Sequence, residues 1–551
     1  MARRPVPARM NYVVETASGR VLGESAGPVS VWRGIPFAAP PVGDARGRAP
    51  QPVAPWSGVR DATRFGFIAP QDDHRTSGVM TKAGGPEQNE DCLNLNVWSP
   101  GAPSSVGGRP LRPVLVWFHG GANVSGASSL PDYDGASLSA RGDLVVVTAN
   151  YRLGALGFGD FSSFGRGAGR GVDRDGRAGL AGRDGFDSNL ALRDAVAALE
   201  WVRANIGAFG GDPTRVTIMG ESAGASMVTT LLATPAAAGL FRGAIAESPP
   251  VTTVYGRERS AARAREILHE LGIEPAEVAR LRDVPVSLIV QASSVVLTRN
   301  ARERPGTLAF GQVVDGSYLP QHPLDAFETG RTHAVPLLIG TNDDESTLFK
   351  RADPPIVPTT VDLMLRTLEN ADAASRQRIL DSYSRPHTSR AALDFGTNWT
   401  FRQPVLRAAA GHTIHAGNTS NAGGGGQPRR NAPRAQTFVY QYGFASRIER
   451  LLGLGVTHGS EIPLVFGTLG EPIGKVLGVL GPRRTIRRLS AEMQDAWIAF
   501  VRAGDPSTPG RPWAPHHEGR SVHRFTSEGG HDMAELEPAK REAWSTLVWP
   551  R

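Results

Sequence analysis

The stretch Val216-Thr217-Ile218-Met219-Gly220-Glu221-Ser222-Ala223-Gly224 decides how the chain is interpreted. An apolar, β-branched run leads into a Gly-x-Ser-x-Gly turn, and Ala225 to Leu232 follows as a predicted helix. Glycines two positions before and after the serine remove the Cβ atoms that would collide where strand and helix nearly touch. The pattern therefore predicts a serine hydroxyl held clear of a sheet, at the positive end of a helix. The alternative is a glycine-rich turn without chemistry, and the rest of the chain must decide between them.

Strands and helices alternate around this turn. Strands are predicted at 93–98, 113–118 and 144–148, and the second is nearly all apolar, as a strand buried on both faces is. Leu190 to Ile206 has apolar residues at helical spacing, and Val335 to Ile339 is a further apolar strand. This order predicts the α/β class, with a mostly parallel sheet and helices on both faces.

Two glycine-rich segments interrupt this order, at 161–183 and 416–436. A predicted helical region, 360–384, precedes the second segment, and a predicted strand, Thr437 to Phe444, directly follows it. Because the strand resumes at once, we expect flexible surface loops within a single catalytic domain spanning 1–551. Cys92 is the only cysteine, so no intrachain disulfide can form.

Composition and charge narrow the function classes. The 551 residues carry a net charge of +7, and the arginines that dominate it are scattered rather than clustered with aromatic residues. This predicts an arginine-rich solvated surface and no nucleic-acid partner. No run reaches the ~18 apolar residues that span a bilayer, and Met1 to Val13 has no apolar run of signal-peptide length. We expect a soluble, cytoplasmic protein without a membrane span; secretion after processing is the alternative left open, and oligomeric state is undetermined.

A serine nucleophile needs a base, an acid that orients the base, and donors for the oxyanion. His119-Gly120-Gly121-Ala122 directly follows the apolar strand that ends at Phe118. Residues with little or no side chain let backbone N–H groups turn toward a small anion. The N–H groups of Gly121, Ala122 and Ala223 are therefore the predicted oxyanion hole.

Spacing alone leaves the acid and the base open. Three consecutive carboxylates follow the strand at 335–339, and spacing does not choose among them: Asp343, Asp344 and Glu345. The base should come later in the chain, and His458 lies on a loop after the predicted strand at 437–444. It is favoured over three histidines in polar stretches that are predicted to be exposed: His516, His517 and His531.

Further motifs occur along nearly the whole chain, from about Val13 to Trp513. They are Arg33-Gly34-Ile35-Pro36-Phe37-Ala38, Glu90-Asp91-Cys92-Leu93, Asn150-Tyr151-Arg152-Leu153-Gly154, Phe209-Gly210-Gly211-Asp212-Pro213 and Val313-Val314-Asp315-Gly316. Together with the Ser222 turn they resemble the type-B carboxylesterases, the family that includes para-nitrobenzyl esterases and cholinesterases. The resemblance implies the α/β-hydrolase fold, with a central, mostly parallel, twisted sheet and helical or loop insertions over the active site.

The resemblance also implies the roles of individual residues. Ser222, Glu345 and His458 match the family's catalytic triad, and Glu221 and Glu461 match acidic positions close to it. The implied reaction is ester hydrolysis through an acyl-enzyme, on a small-molecule ester and without a cofactor or a metal. His458 would deprotonate Ser222, which attacks the carbonyl, and water would then release the acyl group.

The sequence departs from the family at the substrate pocket. Asn123 stands where an aromatic residue usually follows the oxyanion turn, and Leu348 stands where cholinesterases carry an aromatic residue. The region Thr76 to Gly85 has no aromatic residue either. Without aromatic faces a quaternary ammonium group loses its main source of binding, so cholinesterase activity is not expected. Asn123 and Leu348 are predicted pocket residues, with a more polar entrance at Asn123.

Structural pairings also follow from the resemblance. The family's disulfide partner of Cys92 is replaced by Ala69, which implies a free, buried thiol. Two partly buried ion pairs are implied, Arg46 with Glu90 and Arg152 with Asp194.

Two other functions compete with ester hydrolysis. An amidase or carbamate hydrolase would use the same triad. A non-catalytic binding protein would resemble the neuroligins, which keep the fold without the serine. The intact triad disfavours this second alternative.

Overall fold

The structure, a computed structural model, describes residues 11–72, 86–101, 110–164, 185–416, 435–478, 482–517 and 519–551. Most of the two predicted loops, 161–183 and 416–436, and all of 76–85 lie outside the described residues. The flexibility of the loops and the single-domain organisation therefore stay predictions.

The strands are β1 (Asn11–Thr16), β2 (Gly19–Ala26), β3 (Val29–Pro36), β4 (Val59–Asp61), β5 (Asn94–Pro100), β6 (Arg112–Phe118), β7 (Val145–Ala149), β8 (Gly211–Glu221), β9 (Gly243–Glu247), β10 (Tyr255–Gly256), β11 (Val313–Val314), β12 (Leu337–Asn342), β13 (Thr437–Tyr442), β14 (Val522–Thr526) and β15 (Gly529–Met533). The α-helices are α1 (Ala136–Gly142), α2 (Gly154–Phe158), α3 (Leu190–Asn205), α4 (Ala223–Leu232), α5 (Arg257–Glu270), α6 (Val286–Glu303), α7 (Pro323–Glu328), α8 (Val361–Leu368), α9 (Ala373–Asp381), α10 (Ser389–Thr397), α11 (Gln403–Ala416), α12 (Arg447–Leu451), α13 (Ile462–Phe466), α14 (Pro472–Gly478), α15 (Arg483–Ala503) and α16 (Pro538–Trp544).

One large sheet organises the chain, in the strand order β1-β2-β3-β5-β7-β6-β8-β9-β12-β13-β14-β15, with β4 beside β2. The seven strands from β7 to β14 in this order pair in parallel with one another, β4 pairs in parallel with β2, and the remaining pairs of this sheet are antiparallel. A short parallel pair, β10 and β11, lies apart from it. The predicted α/β class with a mostly parallel sheet is confirmed.

Strand β6 shows why the centre of the sheet is apolar throughout. Val114, Val116 and Phe118 belong to the hydrophobic core on one face, and Leu115 and Trp117 belong to the core on the other face. Side chains alternate between the faces of a strand. A strand covered by helices on both sides must therefore be apolar at every position.

Two of the predicted elements differ from the structure by more than one or two residues at an end. The strand predicted at 335–339 is shifted to Leu337–Asn342, since Pro336 has no N–H for the ladder. The region 360–384 contains two helices, α8 and α9, rather than one. Each has its own N-cap, because Thr360 accepts a hydrogen bond from Leu363 N at 3.3 Å and Asp372 accepts one from Ser375 N at 2.9 Å.

The parallel strands end at one edge of the sheet, where they gather the polar segments of the chain. Strand β6 ends before the His119 turn, β8 ends before Ser222, β9 ends before Ser248, and β12 leads to Glu345. In sheets of this kind, ligands bind at the carboxyl ends of the strands. The candidate site is therefore expected at this edge. Within the described ranges, no helix has the length and apolar character needed to cross a membrane.

The buried pairings implied by the resemblance are present. Arg46 Nη2 lies 2.6 Å from Glu90 Oε2, and Arg152 Nη2 lies 2.6 Å from Asp194 Oδ1. The Arg152 and Asp194 side chains are only 4% and 0% exposed. Cys92 is a free, fully buried thiol.

We predict that Asp194→Asn lowers the free energy of unfolding by about 3–5 kcal/mol, because it leaves the Arg152 charge buried without its partner. Urea denaturation followed by circular dichroism measures the change. The matched control is Asp495→Asn, which breaks the exposed pair with Arg141 and should cost less than about 1 kcal/mol. Equal losses in the two variants would contradict the prediction.

Candidate active site

Ser222 occupies a left-handed backbone conformation between β8 and α4, with φ 56° and ψ −123°. Its N–H donates to the Glu247 carbonyl at 2.9 Å, and its carbonyl accepts from Ser226 N at 2.8 Å, which begins the helix. A Cβ on Gly224 would lie 2.0 Å from the Phe118 carbonyl oxygen. Strained conformations of this kind cost ~1–3 kcal/mol and persist only where neighbours hold them. The Gly-x-Ser-x-Gly pattern thus forms the predicted strand-to-helix turn.

Hydrogen bonds fix the orientation of the turn after β6. His119 Nδ1 donates to the Gly120 carbonyl at 2.8 Å, and Ser125 N donates to the Gly121 carbonyl at 3.0 Å. In a trans peptide the N–H points opposite to the carbonyl. The N–H groups of Gly121 and Ala122 therefore point away from these partners. Neither group, nor the N–H of Ala223, donates to another residue that the structure describes.

Gln71 holds the far end of the same turn, which the sequence did not reveal. Its Oε1 accepts from Gly126 N at 2.9 Å, and its Nε2 donates to the Gly126 carbonyl at 3.0 Å. The amide side chain therefore pairs with a backbone amide as a neighbouring strand would. At the near end, a Cβ on Gly120 would lie 3.1 Å from the Cβ of Ser222, so the turn packs directly against the serine.

His458 and Glu345 form a buried hydrogen-bonded pair. His458 Nδ1 lies 2.6 Å from Glu345 Oε2, and the Glu345 side chain is fully buried. The other carboxylate oxygen, Oε1, accepts from Ser248 Oγ and from Asn342 N, both at 2.6 Å. A carboxylate with three donors is held in one orientation.

The neighbouring carboxylates make other contacts. Asp343 pairs with Arg524 at 2.6 Å, and exposed Asp344 accepts a hydrogen bond from Val456 N at 2.9 Å. Of the three candidates that spacing left open, Glu345 alone is hydrogen-bonded to His458 in the part of the chain that the structure describes.

The remaining nitrogen of His458 faces the opposite side. Its Nε2 is buried and has no hydrogen-bond partner among the described residues. It lies 3.1 Å from Glu221 Oε1, on the residue directly before Ser222. No hydrogen bond joins Ser222 and His458 in the described ranges. Such contacts are often long in substrate-free enzymes and tighten when substrate binds.

Four buried carboxyl groups lie at this site, Glu221, Glu247, Glu345 and Glu461, and the charges of Glu221, Glu345 and Glu461 act on the imidazole. Burial raises the pKa of Glu221, Glu247 and Glu461 above the ordinary glutamate value, and the like charges of their neighbours add to this. Burial by itself lowers the pKa of His458, but the Glu221 and Glu345 carboxylates outweigh it and leave that pKa raised. The site therefore favours a positively charged imidazolium.

Glu461 and Glu247 are tied into the same site from behind. Glu461 Oε2 accepts from Asn342 Nδ2 at 2.6 Å, and Glu247 Oε1 accepts from Trp497 Nε1 at 2.6 Å. The resemblance implied Glu461 near the predicted triad, whereas the contact between Glu247 and Trp497 was not predicted. A carboxylate at the end of an otherwise apolar strand was the available signal.

Aromatic rings cover His458. The ring centroids of Phe401 and Phe349 lie 4.7 Å and 5.4 Å from that of the imidazole. Asn123 is buried, has a positive φ of 64°, and donates from Nδ2 to the Phe310 carbonyl at 3.1 Å. Asparagine tolerates this conformation better than the usual aromatic residue. Leu348 is half-buried against the core, and the pocket roles of Asn123 and Leu348 stay predictions.

The alternative histidines lie elsewhere, and one expectation about them is wrong. His517 and His531 are exposed as predicted, but His516 is buried. Its Nδ1 hydrogen-bonds with the Ser521 carbonyl at 3.0 Å, and its backbone N–H donates to Thr437. The polar stretch folds back on β13, which composition does not show. Among the described residues, no group of three or more His, Cys, Asp or Glu side chains could hold a metal ion.

Known proteins resemble this chain over nearly its full length. The profile described as "Carboxylesterase family" matches residues 10–170 and 178–539. The chain is 35% identical to the para-nitrobenzyl esterase of Bacillus subtilis (strain 168), over 92% of this chain and 93% of that protein. It is 33% identical to the phenmedipham hydrolase of Pseudarthrobacter oxydans, over 90% of each. A solved structure named PNB esterase has a TM-score of 0.79 and 33% identity, covering 97% of this chain and 100% of that chain.

We predict that Glu221→Gln moves the acidic limb of the kcat/KM profile to lower pH, by about one unit or more. Glu221 raises the pKa of His458, so its neutralisation lowers that pKa and keeps the base neutral in more acidic solution. The profile for an aryl ester reports this pKa in the free enzyme. Glu461→Gln should give a smaller shift of the same sign, because its effect on His458 is weaker. An unmoved limb in Glu221→Gln would contradict the prediction.

Proposed function

The chain belongs to the carboxylesterase family and is a carboxylic-ester hydrolase of the α/β-hydrolase fold, and we propose that it acts through a Ser222–His458–Glu345 triad and an acyl-enzyme. One observation carries this proposal: the buried 2.6 Å contact between His458 Nδ1 and Glu345 Oε2, at the strand edge that also holds Ser222. A histidine whose Nδ1–H is bound by a carboxylate presents its Nε2 as the base.

In the proposed reaction His458 Nε2 accepts the proton of Ser222 Oγ as that oxygen attacks the ester carbonyl. The resulting imidazolium is stabilised by Glu345 and Glu221, whose charges raise the pKa of His458. The imidazolium then protonates the leaving alcohol. His458 then deprotonates a water molecule, which attacks the carbonyl carbon of the acyl-enzyme. The imidazolium returns the proton to Ser222 Oγ as its bond to the acyl group breaks, which releases the carboxylic acid and restores the serine.

The oxyanion of each tetrahedral intermediate would be bound by the N–H groups of Gly121, Ala122 and Ala223. Support comes from the fixed peptides of the turn, whose carbonyls are held by His119 and Ser125. Ala223 adds the first N–H of α4, where the helix dipole is positive. Each such donor typically contributes ~10²–10³ in rate.

The proposed substrates are small-molecule esters, as the relative named para-nitrobenzyl esterase suggests. The same triad can attack an amide or a carbamate, and rates on a matched ester and amide separate these activities. A chain-length series of para-nitrophenyl esters would report the preferred acyl group.

Ser222→Ala should lower kcat for a para-nitrophenyl ester by about 10⁴-fold or more, because it removes the nucleophile. Circular dichroism and Tm should match the wild type, since Ser222 Oγ makes no hydrogen bond to another described residue. An organophosphate should label the wild-type serine and leave the variant unlabelled, as mass spectrometry of the peptides would show. Near wild-type turnover by Ser222→Ala would remove Ser222 from the mechanism.

The acid is tested by comparing two neighbouring carboxylates. Glu345→Gln should lower kcat by about 10²–10⁴-fold, because an amide neither stabilises the imidazolium nor fixes the Nδ1 tautomer. Asp344→Asn should stay within a few-fold of wild type, since that side chain is exposed and contacts only the Val456 N–H among its resolved hydrogen bonds. A larger loss in Asp344→Asn would overturn the assignment.

A further inference from the structure

Arg402 lies on a π-helical turn, Asn398–Arg402, between α10 and α11. Its side chain is only 5% exposed. Guanidinium Nη2 donates to the carbonyl oxygens of Asn342 at 3.2 Å and Asp343 at 2.9 Å, at the end of β12. Single π-helical turns widen a helix locally and occur frequently at functional sites. Here the turn aims a buried cation at the loop that carries Glu345.

Asn342 connects Arg402 to the acid and to the base. Its N–H donates to Glu345 Oε1 at 2.6 Å, and its Nδ2 donates to the Thr457 carbonyl at 2.9 Å, directly before His458. The carbonyl that Arg402 holds belongs to this same residue. A rotation of the Asn342–Asp343 segment would therefore change the position of the Glu345 carboxylate relative to the imidazole.

The other side of the guanidinium contacts the C-terminal segment, residues 537–549. Arg402 Nη1 lies 2.8 Å from Glu537 Oε2, and Lys540 Nζ lies 2.5 Å from Glu537 Oε1. Trp549 Nε1 donates to the Trp399 carbonyl at 2.9 Å, within the same π-helical turn. The segment therefore contacts this turn at two separate points.

The adjacent residue of the turn contacts the base directly, since the Phe401 ring lies 4.7 Å from the imidazole of His458. Burying a guanidinium costs several kcal/mol unless charged and polar partners compensate. Here Glu537 compensates the charge, while two other donors of the same group face the acid loop. The buried guanidinium therefore forms specific hydrogen bonds with the loop that carries Glu345.

We propose that Arg402 is a positioning residue for the Glu345–His458 pair, and that the C-terminal segment 537–549 holds it in place through Glu537. This inference rests on the proposed function, because it takes Glu345 as the acid of the triad. Arg402 acts through Asn342 and does not contact the substrate or the reacting atoms.

The test compares Arg402→Gln with Arg407→Gln. Arg407 also ties α11 to the C-terminal segment, through Nη1 to the Leu547 carbonyl at 2.7 Å and through an ion pair with Glu328 at 2.5 Å. Neither of these contacts involves the acid loop. Arg402→Gln should lower kcat per active site by about 10–100-fold with KM within about threefold, since small displacements of catalytic groups have such costs. Arg407→Gln should keep kcat, although both variants should have a lower Tm than the wild type.

The concentration of active sites is measured from the burst of para-nitrophenol, so that a smaller folded fraction is not mistaken for a lower kcat. The pH profile gives a readout that a merely structural role would not move. A changed Glu345–His458 contact and the loss of the nearby positive charge both alter the pKa of His458, so the acidic limb of kcat/KM should move in Arg402→Gln and stay in place in Arg407→Gln. Wild-type kcat and an unmoved limb in Arg402→Gln would overturn the inference.

If Arg402→Gln does not fold, Glu537→Gln carries the test, because it keeps Arg402 and removes its nearest anion. We then expect a smaller fall in kcat together with a movement of the acidic limb, and an unchanged kcat and limb would overturn the inference. Glu345→Gln distinguishes a failure of the proposed function from a failure of the positioning role. Full activity of Glu345→Gln would contradict the proposed function itself. An inactive Glu345→Gln beside a normal Arg402→Gln would overturn only the positioning role.

Discussion

The left-handed backbone at Ser222 is the constraint on which the rest of the site depends. A serine adopts this conformation only where its surroundings leave no relaxed alternative. Here the Ser222 N–H is bound by the Glu247 carbonyl, and Gly224 lies so close to the Phe118 carbonyl that no side chain would fit. The Ser222 turn, the turn after β6 and the end of β9 are thus fixed relative to one another. Their relative positions come from the sheet register, with Phe118 opposite Gly220 and Glu221 opposite Glu247.

The electrostatics of the site follow from burial. Four glutamates and one histidine are buried together, and ionised groups there are costly unless they are paired. Glu345 accepts three hydrogen bonds, whereas burial raises the pKa of Glu221, Glu247 and Glu461. The imidazole contacts Glu345 through one ring nitrogen and Glu221 through the other, and these two carboxylates raise its pKa. That arrangement stabilises the imidazolium, which a serine hydrolase forms only during the reaction.

The sequence predicts the parts of this molecule whose cause is local. Apolar runs such as Val114–Phe118 predict buried strands, and the Gly-x-Ser-x-Gly spacing predicts the turn at Ser222, because the physical reasons lie within a few residues. Spacing could not choose among Asp343, Asp344 and Glu345, since the choice depends on which side chain reaches His458 from 113 positions away in the sequence. The resemblance named Glu345, and the hydrogen bond is consistent with that choice.

Residues whose position depends on several distant segments had no pattern to reveal them. Gln71 meets Gly126 across 55 positions, and Trp497 meets the Glu247 side chain across 250. The burial of His516 was missed for the same reason, since its polar neighbours indicate exposure while β13 covers it. The composition of a segment does not show which other segment packs on it. A prediction of exposure from composition alone therefore fails where such packing occurs.

The end of β12 shows why a buried arginine is placed beside the acid. Past Asn342 the chain leaves the sheet, and its carbonyls lose the ladder partners that satisfied them before. Buried carbonyl groups without donors cost free energy comparable to a lost hydrogen bond each. The Asn342 N–H donates to Glu345, and the two carbonyl oxygens of Asn342 and Asp343 accept hydrogen bonds from the side chain of Arg402, on another element. An apolar residue in place of Arg402 would fill the volume but leave both carbonyl oxygens without these donors. The loop would then have to change its conformation to form new hydrogen bonds. Because Glu345 lies on the same loop, the hydrogen bonding of this backbone and the proposed positioning of the Glu345 carboxylate depend on the same arginine.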